Sequence, residues 1–324
     1  MKITILDKEN VEKVNGLLRS YEFNDYRVYR MLGEEGLRKY LYKSFIDVVK
    51  LPDSLVIIAQ DNNKICGLAV VVLLPWDTQH FKAKMAKIDY FIAPGDHRQT
   101  LILKARMLSF MIKLCKARGL VYLSCRLDAG DICGIHALEK NGFLLMDTIV
   151  TYVFNRHKHC LPDIRGIHKT RPFKENDLPE LMRIAQKAFS RDRFHLDTRI
   201  PFKKSDGLFR KWIKDSSART DLNKIFVVQK NSRIAGFLTF ELNPGLEQIT
   251  GYKIAGHGLS AVSAEAKGAY VSLVKAAVQE VALNYDCLEF DTQLNNYEVI
   301  RVWQKFGFDQ VRTKHTFHRW LKEE

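Results

Sequence analysis

What the sequence lacks narrows its class first. None of its six cysteines (Cys66, Cys115, Cys125, Cys133, Cys160, Cys287) stands in a C-x-x-C pair, and most fall in apolar segments. They read as reduced structural thiols with no metal or redox role. No apolar run is long: residues 67–76 form the longest, far short of the roughly 20 residues a membrane helix needs. The start, Met1-Lys2-Ile3-Thr4-Ile5, has no signal-peptide shape. The expectation is a soluble, cytoplasmic protein with no membrane partner and no metal. No Lys/Arg stripe with interleaved aromatics is present either, so nucleic acid is compatible with the charge but not indicated.

What is present is an excess of positive charge, +14 in 324 residues. It is shared, +7 in residues 1–165 and +7 in residues 166–324, so it is no basic tail. Such a surface favours anionic partners, including phosphorylated cofactors and nucleotide-linked substrates. The length suits two domains, each able to bury a core.

The sequence also says one phrase twice, 165 positions apart. Gly142-Phe143, Thr148 and Thr151-Tyr152 are answered by Gly307-Phe308, Thr313 and Thr316-Phe317. Upstream, Lys140 matches Lys305, Leu123 matches Leu288, and Asp131 matches Asn296. A repeat near half the chain length means a duplicated domain. Each half opens with a strand and a helix. A hairpin follows, with turns at Asp61-Asn62-Asn63 and at Asn231-Ser232. Then come a strand, a turn, a long helix, a strand, and a second helix stopped by the glycine of the phrase. The spacing predicts strand 258–262, helix 269–283, strand 287–292 and helix 298–306. Alternating strands and helices imply α/β or α+β domains on a mixed sheet.

This order, with the recurring Gly142-Phe143 and Gly307-Phe308, resembles the GNAT superfamily of acyl-CoA-dependent N-acyltransferases over essentially the whole chain, once per half. The resemblance implies two tandem GNAT-like domains, each a mixed, mostly antiparallel sheet flanked by helices: residues 1–155 a degenerate copy, 156–166 a linker, and 167–324 the acyltransferase domain. It implies acetyl-CoA as co-substrate, with its diphosphate on the turn that opens the long helix of the second half. There the stretch Val262-Ser263-Ala264-Glu265-Ala266-Lys267-Gly268-Ala269-Tyr270 matches the family loop, although the loop is about two residues short and lacks one glycine. Ser260, Ala261, Val262, Lys267, Gly268, Ala269, Tyr270 and Asn296 are the cofactor-binding candidates. Asn296 matches a family asparagine near the thiol end. The family tyrosine that protonates the departing thiolate is replaced by Trp303, whose indole N–H is no acid at neutral pH. Tyr297, Tyr270 or water are the stand-ins, and the sequence picks none. In the first half, Asp131 replaces the asparagine, and the turn Pro94-Gly95-Asp96-His97 carries an acid.

A narrower resemblance, in Leu74-Pro75-Trp76-Asp77-Thr78-Gln79-His80-Phe81, Phe189-Ser190-Arg191-Asp192-Arg193-Phe194 and Asp291-Thr292-Gln293, is to sugar-amine N-acetyltransferases. It implies an amine on a nucleotide-linked sugar or a similar anionic small molecule. Arg191 and Arg193 would grip that acceptor, with Trp303 beside it. His257 and Glu241 are the candidate bases. A catalytically degenerate protein that binds CoA or a nucleotide without turnover is the alternative. The chain is expected as a monomer with an internal pseudo-dimer or as a homodimer.

Overall fold

The computed structural model describes residues 1–256 and 258–321. The first elements are β1 (Lys2–Ile5), α1 (Asn15–Ser20), α2 (Gly33–Lys50), β2 (Leu55–Asp61), β3 (Lys64–Leu73), α3 (Pro75–Phe81) and β4 (Met85–Ile92). Next are α4 (His97–Ala117), β5 (Tyr122–Asp128), α5 (Ile132–Lys140), β6 (Leu144–Asn155) and β7 (Lys169–Pro172). Then follow α6 (Leu178–Ala188), α7 (Arg193–Leu196), α8 (Phe202–Ser217), β8 (Asn223–Lys230), β9 (Arg233–Leu242) and α9 (Pro244–Thr250). The chain continues through β10 (Ile254–Gly256), β11 (Ser260–Val262), α10 (Ala269–Asn284), β12 (Cys287–Gln293), α11 (Tyr297–Lys305) and β13 (Asp309–Trp320). The fold is mixed α/β, as the alternation predicts.

Two compact units result: unit 1 is Met1–Thr148 with the chain from Thr313 onward, and unit 2 is Ile149–Arg312. The division therefore falls inside β6 and again inside β13, not in residues 156–166. Hydrogen-bond ladders decide this. In unit 1 the order is β1-β2-β3-β4-β5, and residues 314–320 of β13 lie antiparallel to β5. In unit 2 the order is β7-β8-β9-β10-β12, and residues 149–155 of β6 lie antiparallel to β12. Among the described residues each unit has one parallel pair, β4 with β5 and β10 with β12.

The hairpins form where the turn residues tolerate positive φ: Asn62 and Asn63 (45° and 63°), and Asn231 and Ser232 (49° and 64°). Two successive positive φ angles match the right-handed twist of the flanking strands. The long helices α4 and α10 bury their apolar faces on the sheets. Met107, Leu108, Met111 and Cys115 do so in unit 1, and Leu273, Val274, Ala277 and Val278 in unit 2. The repeated phrase is a helix stop. Gly142 and Gly307 take φ of 71° and 80°, and Phe143 and Phe308 donate backbone N–H to the carbonyls of Leu138 and Trp303, both at 3.1 Å. Both phenylalanines are then buried in their cores, completing a glycine-capped helix end with its hydrophobic contact.

The parallel pair splits in each unit. β4 leaves β5 after Ile88 and Cys125, where its register with β3 slips by one residue between Tyr90 and Ile88. In unit 2, β10 leaves β12 after Gly256 and Glu289. Pairing with β9 resumes at Ser260 opposite Leu238, also slipped by one residue relative to Gly256 opposite Glu241. Of the expected strand 258–262, residues 260–262 form β11, set off from β10 by this slip. Gly258 lies against the Thr239 backbone with no room for a Cβ, which would fall 1.6 Å from its carbonyl oxygen. A bulge bends a strand and ends its pairing on one side. A gap between parallel strands is the result.

Candidate active site

The gap in unit 2 collects most of the residues singled out from the sequence. Thr239 N–H donates to Leu259 O (2.8 Å), and Ser263 N–H to Ala235 O (2.8 Å), so alternate residues of β11 face β9. By that alternation Ser260 and Val262 turn their N–H groups the other way, to the side β12 has left. Leu259 N–H is spent on Thr239 Oγ1 at 2.7 Å. Among the described residues of β11, the backbone donors turned toward the gap are those of Ser260 and Val262.

One hydroxyl stands there with them. Tyr270, in the first turn of α10, accepts a hydrogen bond from Trp303 Nε1 at 3.0 Å, and its hydroxyl also bonds to Ser260. Burial pushes its pKa up to about 12, although both hydrogen bonds pull the other way. An indole N–H only donates, so the phenolic proton stays free to be given elsewhere. Trp303 is 2% exposed and packs against Phe290, Phe308 and Tyr152. It is a core residue that orients Tyr270. A bulky substrate has no access to its ring, which corrects the expectation that it lines the acceptor site. Tyr297, the other phenol considered, is 63% exposed at the start of α11.

The turn from β11 into α10 leaves its donors open. Ala266 N–H closes on Ser263 O and Ala269 N–H on Ala266 O, both at 3.0 Å. The amides of Lys267, Gly268, Tyr270 and Val271 have no acceptor among the described residues. Gly268 is the N-cap with φ 80°, and no side chain caps the helix. A Cβ there would lie 2.6 Å from Ile167 Cδ1, so glycine is required both by conformation and by space. His168 Nε2 meets Lys267 O at 2.9 Å, and Lys230 Nζ donates to Glu265 O at 2.5 Å. Open amides at a helix N-terminus, with cationic side chains beside them, favour an anion such as a diphosphate. Asn296 is the N-cap of α11 but makes no side-chain cap bond. Its Nδ2 donates to Thr292 Oγ1 at 2.8 Å, which leaves Oδ1 as an acceptor beside the gap.

Unit 1 differs at each of these points. Asp96 caps α4 itself, accepting from Gln99 N–H at 2.9 Å, so a carboxylate occupies the place of an anion. Asp131 caps α5, accepting from Gly134 N–H at 2.9 Å. It also pairs with Lys104 Nζ at 2.5 and 2.7 Å. Both side chains are 3% exposed, and Lys104 lies over the Phe91 ring at 5.0 Å. This buried pair ties α4 to the start of α5. The residues of unit 2 fit a CoA diphosphate and pantetheine chain; those of unit 1 do not.

Of the remaining candidates, Glu241 stands opposite Gly256 at the edge of the bulge, with Arg219 Nη2 at 3.7 Å. His257 lies outside the described residues. Arg191 is exposed, and Arg193 lies over the Phe194 ring at 4.2 Å. The acid between them serves the fold. Asp192 caps α7 through Phe194 N–H (2.9 Å) and holds His195 Nδ1, while His195 Nε2 meets Asp206 at 3.1 Å. The sequence offered no reason to prefer Tyr270 over Tyr297.

No family model and no curated protein matches the sequence. Solved structures do match. A tandem GNAT protein from the clavulanic acid biosynthesis pathway, solved without AcCoA, is 11% identical with a TM-score of 0.56, covering 100% of this chain and 99% of that one. A GCN5-related N-acetyltransferase from Sphaerobacter thermophilus is 12% identical with a TM-score of 0.58, covering 99% and 96%. A GNAT-family acetyltransferase from Colwellia psychrerythraea is 10% identical with a TM-score of 0.55, covering 99% and 100%. At these identities the likeness is one of fold, and it runs the length of the chain: the fold is that of tandem GNAT proteins, two GNAT-like units in one polypeptide.

Proposed function

We propose that this protein is an N-acetyltransferase that moves an acetyl group from acetyl-CoA to a primary amine, with the chemistry in unit 2. The observation that carries the reading is the Tyr270 hydroxyl, fixed by Trp303 beside the outward amides of Ser260 and Val262 in the split between β11 and β12. Acetyl-CoA supplies the acyl thioester. The open amides at 267–271 would hold its diphosphate, with Lys267 and Lys230 adding positive charge. Asn296 Oδ1 would accept an amide N–H of the pantetheine arm. The amide of Ser260 or Val262 would stabilise the oxyanion that develops on the thioester carbonyl as the amine attacks. Tyr270, fully protonated at neutral pH, would give its hydroxyl proton to the departing thiolate. Glu241 would be the base that takes the proton of the attacking amine, directly or through water. Holding amine and thioester together supplies much of the rate.

The acceptor is an amine on an anionic small molecule, such as a nucleotide-linked amino sugar. The basic surface and the exposed Arg191 support this, together with the resemblance of residues 189–194 to sugar-amine acetyltransferases. Thiol release from acetyl-CoA across an amine panel tests the reading. Turnover with an amine, lost in Tyr270→Phe with acetyl-CoA binding retained, supports it. Acetyl-CoA that binds but is never turned over would leave the binding-only alternative, and acetyl-CoA that does not raise the melting temperature would end both.

A further inference from the structure

Unit 1 has lost the donors for a diphosphate, yet it keeps a cavity. About 180 Å³ of space lies between the α1–α2 segment, β4, β5 and the start of residues 314–320. It opens where β4 and β5 part, on the bulge itself, through Asp89 and Tyr90 on one strand and Arg126 and Asp128 on the other.

The charges on its wall are of both signs. Asp25, Asp89 and Asp128 face it together with Arg126 and Lys314. These groups are held in place. Arg126 Nε donates to Thr316 Oγ1 at 2.9 Å, and Lys314 pairs with Asp25. Asp89 Oδ1 takes Lys87 Nζ (2.6 Å) and Asp128 Oδ1 takes Gly130 N–H (2.8 Å), so in each the second oxygen has no partner among the described residues. Tyr21, Tyr26 and Tyr90 supply aromatic wall, with Leu18 and Leu41 behind them. Burial, then the carboxylates of Asp131 and Asp25, push the Tyr21 phenol well above its usual pKa, so it remains a hydrogen-bond donor.

Asp25 and Lys314 neutralise one another, so the charges a guest meets are the carboxylates of Asp89 and Asp128 and the guanidinium of Arg126. A small molecule with both signs satisfies both sets, its apolar part against the phenol rings. We propose that the unit 1 cavity is a binding site for a small zwitterionic amine of amino-acid size, which it holds without acyl transfer. The ammonium is taken by Asp89 and Asp128 and the carboxylate by Arg126. Unit 1 has Asp96 where a cofactor diphosphate would sit, so the bound amine is a resident ligand and not an acceptor. The proposal stands independently of the chemistry assigned to unit 2.

The test is a thermal-shift panel of the twenty L-amino acids at 10 mM on the full chain without acetyl-CoA, followed by calorimetric titration of the best. The expected result is stabilisation by a subset. For those, the methyl ester and the N-acetyl derivative should each bind at least tenfold more weakly. Arg126→Gln should weaken the amino acid at least tenfold while leaving the ester unchanged, and Asp128→Asn should do the same with respect to the N-acetyl derivative. Ser44→Phe, which fills the cavity from α2 and leaves every charge in place, should abolish binding while unfolding remains cooperative. It also keeps the assay informative if either charge variant fails to fold. No stabilisation by any amino acid overturns the proposal, and so does binding that survives Ser44→Phe. Acetylation of the bound ligand in Tyr270→Phe with acetyl-CoA added would overturn the claim that no transfer occurs there. Acetyl-CoA binding to unit 2 is a separate readout, so its failure would leave this titration standing.

Discussion

Replacing Tyr270 with phenylalanine removes one oxygen and tests two roles of it. In the folded protein that oxygen is the acceptor for Trp303 Nε1 at 3.0 Å, and Trp303 is 2% exposed. Its loss strands a buried N–H donor, a penalty of about 1–3 kcal/mol. In a domain of this size each kcal/mol moves the melting temperature by about 2–4 °C. As proton donor to the thiolate, the hydroxyl should contribute about 10²–10⁴-fold to the rate. The two effects separate in a cycle with Trp303→Phe. Once the indole N–H is gone, the second change, Tyr270→Phe, strands only the half-buried Ser260 hydroxyl and should cost about 1 kcal/mol or less. The rate loss should be the same in both backgrounds. The assays are thermal unfolding and single-turnover thiol release at saturating acetyl-CoA. Thiol release by Tyr270→Phe within threefold of the parent would refute the acid assignment, whatever happens to stability.

Other outcomes follow from the same geometry. With its pKa at about 12 against about 10 in the unfolded chain, Tyr270 binds its proton more tightly when folded. Its stabilising contribution should be complete below about pH 10 and fall away between about pH 10 and 12; thermal melts of the parent that lose no more stability there than those of Tyr270→Phe would contradict this. Lys104→Met leaves Asp131 buried without its cation and should cost about 3–5 kcal/mol, while Lys104→Met with Asp131→Asn should recover much of it, as read by urea unfolding. Gly268→Ala must place a Cβ against Ile167 at φ 80°, so acetyl-CoA binding should weaken at least tenfold by calorimetry, alongside a stability loss of about 1 kcal/mol or more.

The duplicated phrase, the hairpin turns and both long helices were legible because each rests on local chemistry. A glycine at positive φ, an Asn62-Asn63 or Asn231-Ser232 turn, and an apolar stripe leave marks within a few residues. The bulge between Gly256 and Ser260 was not legible, because it arises from register against β9, and nothing in residues 254–262 fixes that register alone. The choice of Tyr270 had the same cause. Its hydroxyl meets Trp303 across 33 positions, a distance only the packing of α10 on α11 can close. The acid in the first-half turn was legible too, and Asp96 caps α4. Lys104 was missed, though a lysine among Leu101, Leu103, Met107 and Leu108 on an apolar helix face had to find a buried partner.

Residues 314–320 run beside β5, in a unit whose other strands were all synthesised before residue 150. Until residues 314–320 leave the ribosome, the β5 edge has its N–H and C=O groups unpaired and Phe317 is missing from the unit 1 core. The amino-terminal half therefore cannot finish folding first, as a simple bead on a string would. A stop codon after Arg312 would spare every residue of unit 2 and strike the half of the protein farthest from it in sequence.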